Sequence, residues 1–235
     1  MSALILLALA VAPGLAIAIF IYWKDKFEKE PKRLLIISFI LGMVSILPAI
    51  LLEGAGQMLG FNGSGSMITT AVYAFIVVGL SEEGSKFFFL RIYPYRQKDF
   101  NEPFDGITYA VMVSMGFATV ENIFYVFEFG PGNALIRMFT AVPAHATFGV
   151  IMGYYVGLAK FSRNPAANFF RALFFAALMH GAYDFFLMVG NVPLMASGAL
   201  ISLYLGVRYS LRAIKLHQQQ SPFQSHSVAE ENSEV

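Results

Sequence analysis

Glu82, Glu83 and Lys86 stand within five residues of one another, inside a stretch from Met67 to Leu90 that is otherwise apolar enough to cross a bilayer. Insertion scales charge roughly 2.5–3.5 kcal/mol for each ionised group near the centre of a spanning helix, so three unpaired charges would cost on the order of 8–10 kcal/mol. Something must offset that cost. On a helix Lys86 lies one turn from both glutamates, so its ammonium can neutralise one carboxylate and leave the other for polar partners on neighbouring helices. Taken alone, the group reads as an ion pair that fixes helix packing.

Four further polar residues lie deep in apolar stretches: Glu121, His145, His180 and Asp184. Each alone reads as an interhelical hydrogen bond. Together they read as chemistry. His180 and Asp184 are one turn apart on the same helical face, a spacing that lets two side chains converge on one ion or lets a carboxylate orient an imidazole. His145 shares its face with Gly149, Gly153 and Gly157, a row of small residues that lets another helix approach closely. Gly106, Ala110, Ser114, Phe117 and Glu121 form a comparable stripe, which turns Glu121 toward protein and not lipid. Carboxylates and imidazoles without a cysteine suit the activation of water for hydrolysis. Either a glutamate is the general base, or the His/Glu/Asp set holds Zn²⁺ and a glutamate moves the proton. Both readings stay open at this point.

The elements that must position these residues follow from composition. The 235-residue chain is 57% hydrophobic and 13% charged, with 24 phenylalanines and a mean hydropathy of +0.62, outside the range of soluble domains. It reads as an all-α, multi-pass membrane bundle. At about 20 apolar residues per span, seven spans are expected, roughly 2–23, 34–59, 67–90, 103–128, 134–160, 166–189 and 193–209. They form one domain over 1–216, with the motif core at 67–189 and a disordered cytoplasmic tail over 217–235 in which His217 and His226 are solvated. The segment Lys24–Arg33 carries five basic residues, and the connections near 91–98 and 160–163 are basic too, whereas those near 61–66, 130–133 and 190–192 carry no charge. The positive-inside rule therefore puts the amino terminus outside and the tail in the cytoplasm. Asp105, Glu128 and Arg137 near span ends read as snorkelling or hydrated groups, and Glu53 as structural or interfacial. The even charge balance gives no sign of nucleic acid as a partner.

The three sequence motifs are specific when taken in order. Glu82-Glu83-Gly84-Ser85-Lys86 resembles the EExxK motif of the PrsW family of intramembrane proteases, Phe117-Ala118-Thr119-Val120-Glu121 resembles its FxxxE motif, and His180-Gly181-Ala182-Tyr183-Asp184 its HxxxD motif. In the wider superfamily, with the CAAX prenyl proteases and bacteriocin-immunity proteins, the second motif usually ends in His and the last in Asn. Glu121 and Asp184 at those positions fit the PrsW branch. The resemblance implies an intramembrane endopeptidase of the bacterial plasma membrane, making the first cut in a single-span anti-sigma factor during an envelope-stress response. With the reading of the residues, it makes Glu82, Glu83 and His180 the expected catalytic groups and Glu121, His145, His180 and Asp184 the expected Zn²⁺ ligands, beside a metal-free alternative. The rival readings are a proton-coupled transporter or channel, because buried carboxylates and histidines also relay protons, and a non-catalytic immunity or scaffold protein of the same fold.

Overall fold

The computed structural model describes residues 2–63, 65–189 and 192–224, with the side chains of 192, 195 and 196 excepted. The chain forms α1 (Ala3–Lys24), α2 (Lys32–Met58), α3 (Met67–Val72), a π-helix (Tyr73–Gly79), α4 (Leu80–Ile92), a 3₁₀ turn (Pro94–Arg96), α5 (Pro103–Phe139), α6 (Ala141–Lys160), α7 (Pro165–Met188) and α8 (Val192–Gln219). There is no strand among the described residues. α3, the π-helix and α4 run on as one rod, so the bundle has seven rods. Six of them are long and apolar enough to cross a membrane. The seventh rod is α8, whose second half carries Arg208, Arg212 and Lys215. Outward-facing side chains such as Leu51, Ile68, Ile136 and Phe170 are exposed, which is the arrangement a lipid solvent favours.

α5 is the central rod. Its residues Phe104 to Thr119 are buried without a break, because α2 and α6 pack closely on different faces of it. The two glycine-containing stripes expected from the sequence meet each other. A Cβ on Gly153 of α6 would stand 2.3 Å from the carbonyl oxygen of Gly106 on α5, and one on Gly149 would lie 2.9 Å from Cβ of Ser114. α2 does the same from another side: a Cβ on Gly42 would fall 1.9 Å from the carbonyl oxygen of Val113. Backbone-to-backbone approach of this kind excludes any larger residue. Gly153→Ala is therefore expected to lower stability by about 1–3 kcal/mol, the usual range for overpacking. Gly54→Ala, which meets nothing within 4 Å, should change it little. Thermal unfolding in detergent compares the two, and equal melting temperatures would refute the close-approach account.

Three expectations are corrected here. First, the fifth span begins at Ala141 and not near 134. Gly130 has φ +79, in the left-handed region open to glycine, and Pro131 follows it, so the chain turns sharply and residues 131–139 fold back as a short helical arm. Second, α8 continues beyond the expected boundary at 216. His217, expected in a solvated tail, is fully buried and stacks on Tyr154 with centroids 4.4 Å apart. Burial without a counter-charge holds its pKa down at about 4. Gln218 Nε2 donates to the carbonyl of Lys24 at 2.5 Å, joining the end of α8 to the end of α1. The remainder of the tail, 225–235 with His226, lies outside the described residues. Third, Asp105 is fully buried. Its Oδ2 accepts the backbone N–H groups of Asn101 and Glu102, both at 2.7 Å, an N-terminal cap for α5 and not a hydrated rim group.

Candidate active site

The π-helix sets the approach of α4 to α7. Gly79 at its end lies so close to α7 that a Cβ would stand 3.0 Å from the carbonyl oxygen of Ala177 and 3.1 Å from the nitrogen of Gly181. A Cβ on Gly181 would in turn meet Phe75 at 2.5 Å. π segments are rare and frequently found at functional sites, and this one shifts the register of the side chains that follow. Here those side chains are Glu82 and Glu83. Ser85 Oγ donates to the carbonyl of Ser45 and ties the same turn to α2.

His180 meets both ends of this network. Its Nδ1 lies 2.8 Å from Glu83 Oε1, and its Nε2 lies 3.2 Å from Asp184 Oδ2 and 3.8 Å from Glu82 Oε2. The spacing of His180 and Asp184 in the sequence is thus realised as a contact. The Lys86 ammonium donates to Glu83 Oε1 at 2.7 Å and to Glu82 Oε2 at 3.2 Å. It therefore serves both carboxylates, where the sequence suggested one. It also lies 3.1 Å from His145 Nδ1 and 4.0 Å from the centre of the Phe117 ring. An ammonium only donates, so His145 Nδ1 accepts and its Nε2–H points to Glu121 Oε2 at 2.8 Å. Ser114 Oγ donates to the carbonyl of His145 at 2.6 Å, fixing that turn of α6 against α5. Phe148 stacks on His180 at 4.8 Å with an 18° tilt and limits its rotation.

The six residues expected to be catalytic or metal-binding thus belong to one network, in two tiers. Glu82, Glu83, His145 and His180 bring one donor atom each within 4.8 Å of one another, and all four are buried. Glu121 and Asp184 contact this group through the imidazoles. Glu82, Glu121, His145, His180 and Asp184 line a cavity of about 740 Å³ with Glu53, Arg137 and the apolar side chains of Ile46, Ile50, Phe117 and Leu203, and Glu83 lies buried behind them. One of its members was read differently from the sequence. Arg137 is not a snorkelling end residue: the arm after Gly130 carries it back onto α5, where it donates to Glu121 Oε2 at 2.8 Å and Asn122 Oδ1 at 2.9 Å. In a straight helix Glu121 and Arg137 would be about 24 Å apart. Glu53 lines the cavity because Gly56 lets α2 approach the π-helix, a Cβ there meeting Val77 at 2.6 Å. Glu128 is exposed, as read from the sequence.

Charge decides what else this site can accept. Glu82, Glu83, Glu121 and Asp184 face only Lys86 and Arg137 as fixed cations, a formal charge of about −2 before the histidines are counted. Glu83 Oε2 is buried and has no hydrogen-bond partner. Two imidazoles, two carboxylates and an unsatisfied buried oxygen fit a divalent metal with nitrogen and oxygen preferences.

The comparisons with known proteins agree with this chemistry. The family model described as PrsW family intramembrane metalloprotease matches residues 30–209. A protein named Protease PrsW from Bacillus subtilis (strain 168) is 36% identical over 184 residues, covering 77% of this chain and 82% of its own length. Its namesake from Geobacillus kaustophilus (strain HTA426) is 35% identical over 184 residues, 78% of this chain and 80% of its own. One from Oceanobacillus iheyensis (strain DSM 14371 / CIP 107618 / JCM 11309 / KCTC 3954 / HTE831) is 35% identical over 209 residues, 88% and 94% respectively. No solved structure matches the chain significantly. The transporter or channel reading gives way, and a multi-pass bundle with a buried His/Glu cluster and three ordered motifs takes its place among known proteins: the chain belongs to the PrsW family of intramembrane metalloproteases.

Proposed function

We propose that this protease makes the first cut in a single-span anti-sigma factor of the bacterial plasma membrane, with Glu82 and Glu83 activating the attacking water. The observation that carries the reading is the meeting of Glu82, Glu83, His145 and His180 within 4.8 Å, at the wall of a cavity inside a membrane bundle. Hydrolysis in a bilayer needs water at the scissile bond. Glu53, Glu121, Arg137 and Asp184 give the cavity a polar lining that holds it, and Ile50, Leu200 and Leu203 offer an apolar wall to the substrate segment.

His145, through the Nδ1 that Lys86 contacts in this structure, and His180 would be the nitrogen donors for a zinc ion, which would displace the ammonium from His145, with oxygen donors from the carboxylates around them. When bound there, Zn²⁺ supplies a Lewis acid that lowers the pKa of water toward neutrality. The protein's own residues do the rest. Glu121 holds the tautomer and orientation of His145, and Asp184 does so for His180, the usual task of a carboxylate behind a metal-bound imidazole. Glu121 and Asp184, expected from the sequence as ligands themselves, support this reading as orienting groups through the contacts they make. Glu82 or Glu83 takes the proton from water and passes it to the leaving amide nitrogen. Lys86 stays beside them as counter-charge. Cleavage of single-span candidates in proteoliposomes, with wild type against Glu83→Gln, tests the proposal, and failure to cut any of them would refute the substrate class.

The same proposal places the amino terminus outside and α8's end in the cytoplasm, supported by the alternation of basic and uncharged connections. Cysteines introduced at Asn62 and Lys26 check it. An impermeant thiol reagent on intact cells should label position 62 and not position 26, and the reverse pattern would invert the topology.

A further inference from the structure

The end of the bundle opposite in character to the active site, where the basic connections gather, holds a second group of acids that the proteolytic chemistry does not use. Glu30 precedes α2, Glu102 and Asp105 begin α5, and all three are at most 3% exposed. Glu30 Oε2, Glu102 Oε2 and Asp105 Oδ1 are buried without a hydrogen-bond partner. A separate element supplies a fourth buried carboxylate. Asp25, the residue that ends α1, is fully buried, and its charge is felt by Glu102 and Asp105. Neither of its oxygens makes a hydrogen bond of normal geometry, the backbone N–H of Glu30 being a weak donor in reach.

No Lys or Arg forms an ion pair with any of the four among the described residues. Lys29, whose charge reaches Asp25, directs its ammonium to the carbonyl oxygens of Tyr22, at 2.6 Å, and Asp25. Lys160 directs its own to the carbonyl of Tyr95 at 2.7 Å. Burial raises the pKa of Asp25 to about 7 and that of Glu102 to about 7, and raises that of Glu30 as well. Glu30 and Asp105 hydrogen-bond to each other through their carboxyl groups, which takes one shared proton, and the charge left on the other carboxylates calls for further protons or a cation.

We propose that Asp25, Glu30, Glu102 and Asp105 form a second metal site, for a hard divalent cation of the Mg²⁺ type, that clamps the end of α1 to the start of α5 beside the start of α2. The donors are oxygen only, which separates this site from the nitrogen- and oxygen-lined active site and selects Mg²⁺, Mn²⁺ or Ca²⁺ over zinc. Size favours Mg²⁺. Among the described residues only Glu82, Glu83, His145 and His180 bring three or more donor atoms within 4.8 Å of one another, so the junction is wider than a cage of direct ligands. Mg²⁺ keeps several waters and needs only one or two carboxylates directly, with the others bonded to those waters.

Mn²⁺ is the probe, counted by electron paramagnetic resonance on the full chain in detergent. Wild type and the His145→Ala/His180→Ala protein should each hold one Mn²⁺ at the junction, displaced by excess Mg²⁺. Asp25→Asn/Glu102→Gln should lose that ion while keeping the zinc site. Mg²⁺ at ten times its dissociation constant should also raise the melting temperature of wild type by roughly 3–6 °C. If no Mn²⁺ survives in the double-histidine variant, or if Asp25→Asn/Glu102→Gln keeps it, the site does not exist. Should that carboxylate variant fail to fold, the count in the double-histidine protein still decides. Melting that responds to acid and not to Mg²⁺ would also overturn the proposal, leaving shared protons as the counter-charge.

Discussion

Glu82→Gln and Glu83→Gln are each expected to lower the rate of substrate cleavage by about 10²–10⁴-fold, the usual contribution of a positioned proton-transfer group, while the protein still reaches normal abundance. Gln keeps the size of the side chain, and the remaining glutamate still pairs with Lys86, which contacts both in the native site. Proton transfer is lost and packing is kept. Lys86→Met should do the opposite. It strands two buried carboxylates, and breaking a buried pair by removing one partner costs about 3–5 kcal/mol. That is a large part of a typical domain's stability, so its main effect should be on the amount of folded protein. Immunoblotting of membranes together with cleavage in proteoliposomes separates the two outcomes. A Glu83→Gln protein that cuts at the wild-type rate would exclude Glu83 as the base, and the same result for both glutamates would end the assignment.

The second large effect concerns the metal. Protein purified without a histidine tag should contain close to one zinc per chain, and His180→Ala and His145→Ala should each lose it together with chelator-sensitive activity. Elemental analysis gives the count independently of turnover. Glu121→Gln should be milder. It leaves the imidazole of His145 in place but weakens the partner of Nε2, which lies 2.8 Å from Glu121, and changes at such outer partners cost about 10–100-fold in metal affinity or activity. Arg137 is bound to the same oxygen of Glu121 and stacks its guanidinium 3.9 Å over the centre of the Tyr125 ring. Arg137→Lys should therefore fall between wild type and Glu121→Gln, because Lys cannot reproduce the planar fork. Full cleavage by metal-free enzyme would eliminate zinc and leave the glutamate mechanism alone.

Much of the site was legible in the sequence because charge in an apolar span is rare and costly. Glu82, Glu83, Lys86, Glu121, His145, His180 and Asp184 stand out for that reason alone, and helical periodicity put His180 and Asp184 on one face and the glycines of α6 on the face of His145. The spans were legible for the same reason. A bilayer demands long apolar segments with satisfied backbones, so hydropathy alone marks where they lie. The π-helix of residues 73–79 was not legible, since its wider turn depends on the contact of Gly79 and Phe75 with Gly181 of α7. Nor was the return of Arg137, because it requires the dihedral angles adopted at Gly130 and a receptor 16 positions back. His217 and Asp105 were misjudged in the same way: each sits near the end of an apolar segment, where sequence predicts access to water. The cost of burying charge marks which residues must be paired, and hydropathy marks which helices must exist. The identity of each partner comes from the packing, because a short hydrogen bond or ion pair depends on how separate helices are offset and rotated against one another, and that is set by backbone approach at Gly42, Gly79 and Gly153.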